Sequence, residues 1–157
     1  MSGAQDPAMS VIIPACNEAG YIDACLRAVL ASQDVMLQVV VVANGCTDDT
    51  ATRARAHGPD FTARGWALEV LDLPALGKPG ALDAGDGIAS YPDRAYLDAD
   101  VTVSPLLLGQ IARVLGGAGA RYATGRPMVA PAASKITRAY ARFWTRLPFV
   151  VRCAPGF

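Results

Sequence analysis

Apolar residues in this chain follow two rhythms. Short runs occur at 9–13 (Met-Ser-Val-Ile-Ile), 37–42 (Leu-Gln-Val-Val-Val-Val), 67–72 (Ala-Leu-Glu-Val-Leu-Asp) and 94–97. Runs that are apolar on both faces predict strands covered from both sides, as in a parallel sheet. Between the runs the period changes. Ile22, Cys25, Leu26, Val29 and Leu30 recur at i, i+3, i+4, i+7 and i+8, which predicts an amphipathic helix. After the second run Asn44-Gly45 turns the chain, and Thr47 or Asp48 caps a helix reaching about His57, with Gly58 after it. A glycine-containing helix is expected from Pro79 to about Ala89. Ser104-Pro105 starts another, with Ser as N-cap and Pro at N1, and Leu107, Ile111 and Leu115 form its apolar face. A fifth strand over 120–129 and a helix opening at Ser134 complete the order βαβαβαβαβα. The expected fold class is α/β, a mostly parallel sheet with helices on both faces.

Composition narrows this picture. Hydrophobic residues make up 52% and charged residues 18% of 157, which excludes a disordered chain. The first residues are polar and small, without the basic and apolar regions of a secretory signal, so a cytoplasmic protein with free thiols is expected. None of Cys16, Cys25, Cys46 and Cys153 has CxxC spacing, which argues against a zinc site; Cys25 falls on an apolar helix face and reads as core. Charge is distributed unevenly. Residues 1–100 hold all 14 acidic residues and six basic ones, a net −8, whereas residues 101–157 hold no acidic residue and eight basic ones, a net +8.

In open parallel sheets, ligands bind beyond the carboxyl ends of the strands. Here those ends carry Pro14-Ala15-Cys16-Asn17-Glu18, Ala43-Asn44-Gly45-Cys46-Thr47-Asp48, Leu76-Gly77-Lys78 and Asp98-Ala99-Asp100. Asp98 and Asp100 alternate, so in an extended chain they face one side, and two close carboxylates favour a cation between them. Magnesium or manganese is held by one or two carboxylates together with phosphate oxygens. A nucleoside diphosphate would supply those oxygens. Lys78 adds a point charge, and Asn17, Glu18, Asn44 and Asp48 add donors and acceptors. Each also has a plainer reading: Asn17-Glu18 and Thr47-Asp48 as helix caps, Lys78 as a solvated lysine. His57 reads as a cation at a helix end. Gly77-Lys78 is not a P-loop, because Pro79 follows the lysine and Asp72 stands where the first glycine belongs. No G-x-G-x-x-G follows the first strand, so a nicotinamide site is unsupported.

Four ordered blocks carry a resemblance: Val11-Ile-Ile-Pro-Ala-Cys-Asn-Glu18, Val41-Val-Ala-Asn-Gly-Cys-Thr-Asp-Asp-Thr50, Gly77-Lys-Pro-Gly-Ala-Leu-Asp-Ala-Gly85 and Tyr96-Leu-Asp-Ala-Asp-Val101. Over residues 9 to 115 the chain resembles family-2 glycosyltransferases of the GT-A fold. The resemblance implies a Rossmann-like nucleotide-diphospho-sugar transferase, a nucleoside-diphosphate-sugar donor (a UDP-sugar by family habit), and Mn2+ or Mg2+ as cofactor. It places Pro14, Asn17, Glu18, Asn44, Asp48, Lys78 and Asp98 at the nucleotide sugar and Asp98 and Asp100, the DxD pair, on the metal. No nucleic-acid partner is implied. The chain departs from the family pattern at Ala43-Asn44, where an Asp pair is common, and at Asp83, where Asn is common. It also has no acidic residue after Asp100, so the general base of an inverting displacement has no candidate, and the catalytic residue stays unassigned.

The expected organisation is a flexible lead-in at 1–8, a nucleotide-sugar-binding domain at 9–128, and a basic amphipathic helix at 129–157 that begins an acceptor-binding part, as in a truncated chain. In that helix Ile136, Tyr140, Phe143, Trp144 and Leu147 make an apolar stripe, and Lys135, Arg138, Arg142 and Arg146 a basic one. This suits core packing with a solvated face, packing on a following part, or peripheral contact with an anionic membrane near a lipid-linked acceptor. A non-catalytic nucleotide-binding module and a sugar-1-phosphate nucleotidylyltransferase are the competing readings. The latter usually carries a glycine-rich basic loop after the first strand, which Pro14–Glu18 is not.

Overall fold

The computed structural model describes residues 6–119, 121–126 and 128. Met1–Ala120 forms one compact unit and Arg121–Phe157 a second. In the first unit the order is β1 (Ala8–Ala15), α1 (Ile22–Leu30), β2 (Met36–Asn44), α2 (Thr50–Ala56), α3 (Gly58–Ala63), β3 (Ala67–Leu73), α4 (Gly77–Ile88), β4 (Arg94–Tyr96) and α5 (Leu107–Leu115). The strands form one parallel sheet in the order β3-β2-β1-β4.

That order follows from handedness. Parallel crossovers are right-handed, so steps from β1 to β2 to β3 put their helices on one face, and the return past β1 to β4 puts its helix on the other. Accordingly α1, α3 and α5 contribute to a core built on Met9, Val11, Ile13, Leu37, Val39 and Val41. On the opposite face α4 covers Ile12, Val40 and Val42 through Ala81. Gly85 lets α4 lie close to the sheet, since a Cβ there would fall 2.5 Å from a methyl of Ile12. Helix α1 buries Ile22, Cys25, Leu26 and Val29, the stripe expected from its period. Each fully buried side chain of this size stabilises by about 1.5–3 kcal/mol. At the amino-terminal end of the α4 face, Gln38 is buried but fully engaged. Its Oε1 accepts from Ser10 Oγ and the Ser90 N–H, and its Nε2 donates to Glu69 and to the Ile88 carbonyl.

The structure differs from the sequence pattern in several places. Pro14 lies inside β1 instead of stopping it. Ser10 and Ile12 turn their backbone groups toward β4, through Ser10 N–H to Asp93 O and Leu97 N–H to Ile12 O. Pro14 shares their parity, and β4 has ended at its level, so the missing N–H costs no ladder bond. The lead-in joins the sheet at its end, because the Pro7 carbonyl accepts from Met36 N–H and Ala8 opens β1. Gly58 does not close a helix. His57 stays in the αR region, so the chain runs on into α3 with Pro near its start. Helix α5 starts at Leu107 rather than at Pro105, whose carbonyl is taken by the Gln33 N–H at 2.8 Å instead of by the helix. Finally, residues 121–126 and 128 of the expected fifth strand are not strand. The helix expected from Ser134 lies outside the described residues. Among the described residues no helix is long and apolar enough to cross a membrane.

Candidate functional site

Reversal of strand order on either side of β1 leaves a crevice at the carboxyl end of the sheet between β1 and β4, where open α/β sheets bind ligands. A cleft of about 430 Å³ sits there. Its walls are Pro14, Ala15, Cys16 and Glu18 after β1, Asn44 at the end of β2, Gly77 and Lys78 at the start of α4, and Asp98, Ala99 and Asp100 after β4.

The two carboxylates arrive by a route the alternation argument did not foresee. Strand β4 ends at Tyr96, Leu97 N–H makes the last bond to β1, and Val101 N–H closes a turn on the Asp98 carbonyl. The turn is anchored from beneath: Ala99 is buried in the core, and the Cys25 thiol donates to the same Asp98 carbonyl at 3.9 Å. Burial, helped by the charge of Asp100, pushes the Cys25 thiol up to about 12, so Cys25 is an inert part of the support. With the backbone pinned, Asp98 and Asp100 stay exposed on one cleft wall. Lys78 Nζ reaches Asp98 Oδ1 at 2.6 Å.

The loop carrying Lys78 is held by the end of β2. Asn44 is only 7% exposed, and its Oδ1 accepts the Leu76 N–H at 2.7 Å. Gly45 N–H donates to the Leu73 carbonyl at 2.7 Å. Gly45 has φ +66 and would place a Cβ 2.7 Å from Ala75, so only glycine lets the two loops meet. Gly77 and Lys78, the first residues of α4, both line the cleft, and the amino end of a helix carries a partial positive charge suited to an anion.

Asn17 and Asp48 are held otherwise. Asn17 sits at φ +57, and its Oδ1 accepts from the Thr47 N–H, the Thr47 hydroxyl and the Asp48 N–H. Asp48 accepts from the Ala19 N–H through Oδ2 and from the Thr50 N–H and hydroxyl through Oδ1. These bonds, the Thr50 hydroxyl first, hold its carboxyl below the usual aspartate value. The Cys46 thiol completes the latch between the two loops, accepting from Asn17 N–H and donating to the Ala15 carbonyl, each at 3.4 Å. Neither Asn17 nor Asp48 lines the cleft. Glu18 does, while its carbonyl accepts from the Tyr21 and Ile22 N–H groups and so starts α1. Sequence reasoning overlooked Cys16, which is exposed on the cleft, and the bracketing role of Cys46. Their place between two flagged loops was the available signal. His57 Nε2 lies 3.0 Å from Asp23, tying the end of α2 to α1, and neither residue lines the cleft.

A divalent cation can be tested against these residues. Among the described residues no three His, Cys, Asp or Glu side chains gather as a cage. Two exposed carboxylates on one wall fit an ion that brings phosphate oxygens with it, because such ions take one or two carboxylates and complete their shell elsewhere.

Comparison with known proteins agrees with this architecture. The profile described as glycosyl transferase family 2 matches residues 10–152. The uncharacterized glycosyltransferase Mb0553 of Mycobacterium bovis is 33% identical over 123 residues, covering 76% of this chain and 48% of that protein. The chain thus spans about half the length of such curated relatives. The mannosyltransferase PcManGT from Pyrobaculum calidifontis, solved in complex with GDP-Man and Mn2+, superposes with a TM-score of 0.63 at 26% identity, covering 71% of this chain and 33% of that one. S. aureus TarS 1-349 in complex with UDP gives a TM-score of 0.53 at 23% identity over 68% of this chain and 31% of that one. These neighbours share the GT-A type of parallel α/β sheet expected from the sequence. Since the family profile runs through every residue that lines the cleft, the chain belongs to glycosyl transferase family 2.

Proposed function

We propose that this chain is the donor-binding part of a glycosyltransferase, taking a nucleoside-diphosphate sugar and a divalent cation in the cleft between β1 and β4. The observation that carries this reading is the gathering of Lys78, Asp98 and Asp100 on one cleft at the strand-order reversal. PcManGT, which shares the fold, was solved with GDP-Man and Mn2+, and the TarS neighbour with UDP. In this reading Glu18, after β1, and Asn44, at the end of β2, meet the nucleoside, and Pro14 lines the cleft beside them. Asp98 and Asp100 hold the metal, and Lys78 and the amino end of α4 receive the diphosphate. Asn17 and Asp48 serve the nucleoside side by fixing the shape of both loops.

When bound, Mn2+ or Mg2+ neutralises charge that develops on the departing diphosphate. The protein's own part is to hold that diphosphate against α4 and to keep the sugar open to an acceptor hydroxyl. That hydroxyl attacks the anomeric carbon directly, with inversion. No acidic residue follows Asp100, and this reading assigns the proton acceptor to no residue of the chain. Titration calorimetry with UDP and GDP, with and without Mn2+, tests the reading. Metal-dependent binding is expected, and Asp98→Ala/Asp100→Ala should lower it at least about a hundredfold, the loss of two charged ligands at about 1.5–3 kcal/mol each. Equal binding by the double variant would contradict the assignment.

A further inference from the structure

The carboxylate pair faces a cation of its own. Lys78 Nζ lies 2.6 Å from Asp98 Oδ1, with the two side chains 62% and 56% exposed. Exposed ion pairs contribute little to stability, so this one is no strut and opens readily. Its importance is positional. An ammonium has three donors and no acceptor, so it cannot share Oδ1 with a divalent ion except at the cost of charge repulsion. Lys78 therefore competes with a metal for the charge of Asp98. The backbone beneath it does not need to move for the competition to end. Asn44 and Gly45 fix the preceding loop, and Gly85 seats α4 on the sheet. Only a four-carbon stem has to swing.

We propose that Lys78 is an exchange residue, which occupies Asp98 in the absence of a nucleotide and passes to the diphosphate when one arrives, freeing Asp98 for the metal. The proposal rests on the donor-site reading above. It deepens that reading by making the two ligands interdependent through this chain's own side chain. A diphosphate draws Lys78 away and so raises metal affinity; by linkage the metal raises nucleotide affinity by the same factor. A nucleoside without phosphate leaves Lys78 where it is and produces no such gain. Free metal alone is bound weakly, which keeps the site selective for the metal–diphosphate pair.

The test is Mn2+ binding by the full chain, read from the electron paramagnetic resonance of the free ion, for wild type, Lys78→Met and Lys78→Arg, each alone and with UDP, GDP or uridine. Lys78 is exposed, and unchanged circular dichroism establishes that the variants fold. Removing the competing charge should make Lys78→Met bind Mn2+ alone about two- to fivefold tighter than wild type, the range an exposed ion pair allows. UDP or GDP should raise the Mn2+ affinity of wild type by about two- to fivefold more than that of Lys78→Met, and uridine should raise neither. Lys78→Arg, which keeps the cation, should stay within about twofold of wild type for Mn2+ alone. If wild type binds Mn2+ together with a nucleotide but Lys78→Met binds Mn2+ alone no better than wild type, exchange is wrong and the donor reading stands. If no nucleotide strengthens Mn2+ binding in any variant, the donor reading falls and exchange falls with it.

Discussion

Two polar clusters share the carboxyl edge of one sheet and behave oppositely. Around Asn17 and Asp48 the carbonyl and carboxylate oxygens accept bonds from nearby backbone and hydroxyl groups. Around Lys78, Asp98 and Asp100 the backbone is satisfied from below, by Cys25, Val101 and Asn44, while the charged ends stand exposed. The first cluster spends its side chains on holding loops; the second uses buried neighbours to hold its loops and leaves its side chains open. Strand-end polarity therefore has two uses, and hydrogen-bond partners, not residue type, separate them.

The contrast can be broken most forcefully at Asn17. Alanine there removes an acceptor of three donors and meets the cost of a left-handed backbone, so Asn17→Ala should lose about 2 kcal/mol in urea denaturation. Asn17→Gly should lose about 1 kcal/mol less, because the backbone cost disappears. Asp98→Ala, in an exposed pair, should stay within about 0.5 kcal/mol of wild type in the same experiment. Equal losses at the two positions would erase the distinction.

Asn44 sharpens it, because it lies on the cleft yet its oxygen is committed to the Leu76 N–H. Asn44→Asp retains an acceptor and should keep nucleotide affinity within about threefold. Asn44→Ala leaves the Leu76 N–H without its side-chain partner, and affinity should fall about tenfold as the Lys78 loop loosens. If aspartate fails as badly as alanine in calorimetry, the amide nitrogen contacts the ligand and the loop-holding role is wrong.

Acid titration gives the smallest effect. The Asp48 carboxyl lies below the usual aspartate value, so the stability it adds is present above that value and is lost as pH falls through the lower, folded one. The difference in denaturation midpoint between wild type and Asp48→Asn should be largest near neutrality and should shrink as pH falls below the usual aspartate value of about 3.9. A difference that persists in acid would mean that the latch does not depend on the charged carboxylate.

Much of this architecture could be read along the chain. The apolar runs mark all four described strands, and the Ile22–Val29 stripe marks α1, because burial on two faces or one leaves a periodic trace. Helix α3 was hidden, since Gly58-Pro59 reads as a stop unless it is known that His57 remains αR. The start of α5 was hidden as well, because a distant N–H, that of Gln33, claims the Pro105 carbonyl. The site shows the same division. Positions at strand ends were legible for Glu18, Asn44, Lys78, Asp98 and Asp100, all of which line the cleft. Whether the oxygens of Asn17 and Asp48 meet a ligand or a neighbouring loop was not, because that depends on partners about thirty positions away, such as Thr47 and Ala19.

The central claim is that the exposed cluster, and not the latched one, meets the metal and the diphosphate. A crystal structure of the chain grown with Mn2+ and UDP or GDP tests it most directly, through the anomalous signal of manganese. The account predicts a peak at coordination distance from Asp98 and Asp100, Lys78 turned from Asp98 onto the diphosphate, and the Asn17–Asp48 latch unchanged. A peak elsewhere, or a diphosphate bound with Lys78 still on Asp98, would contradict it.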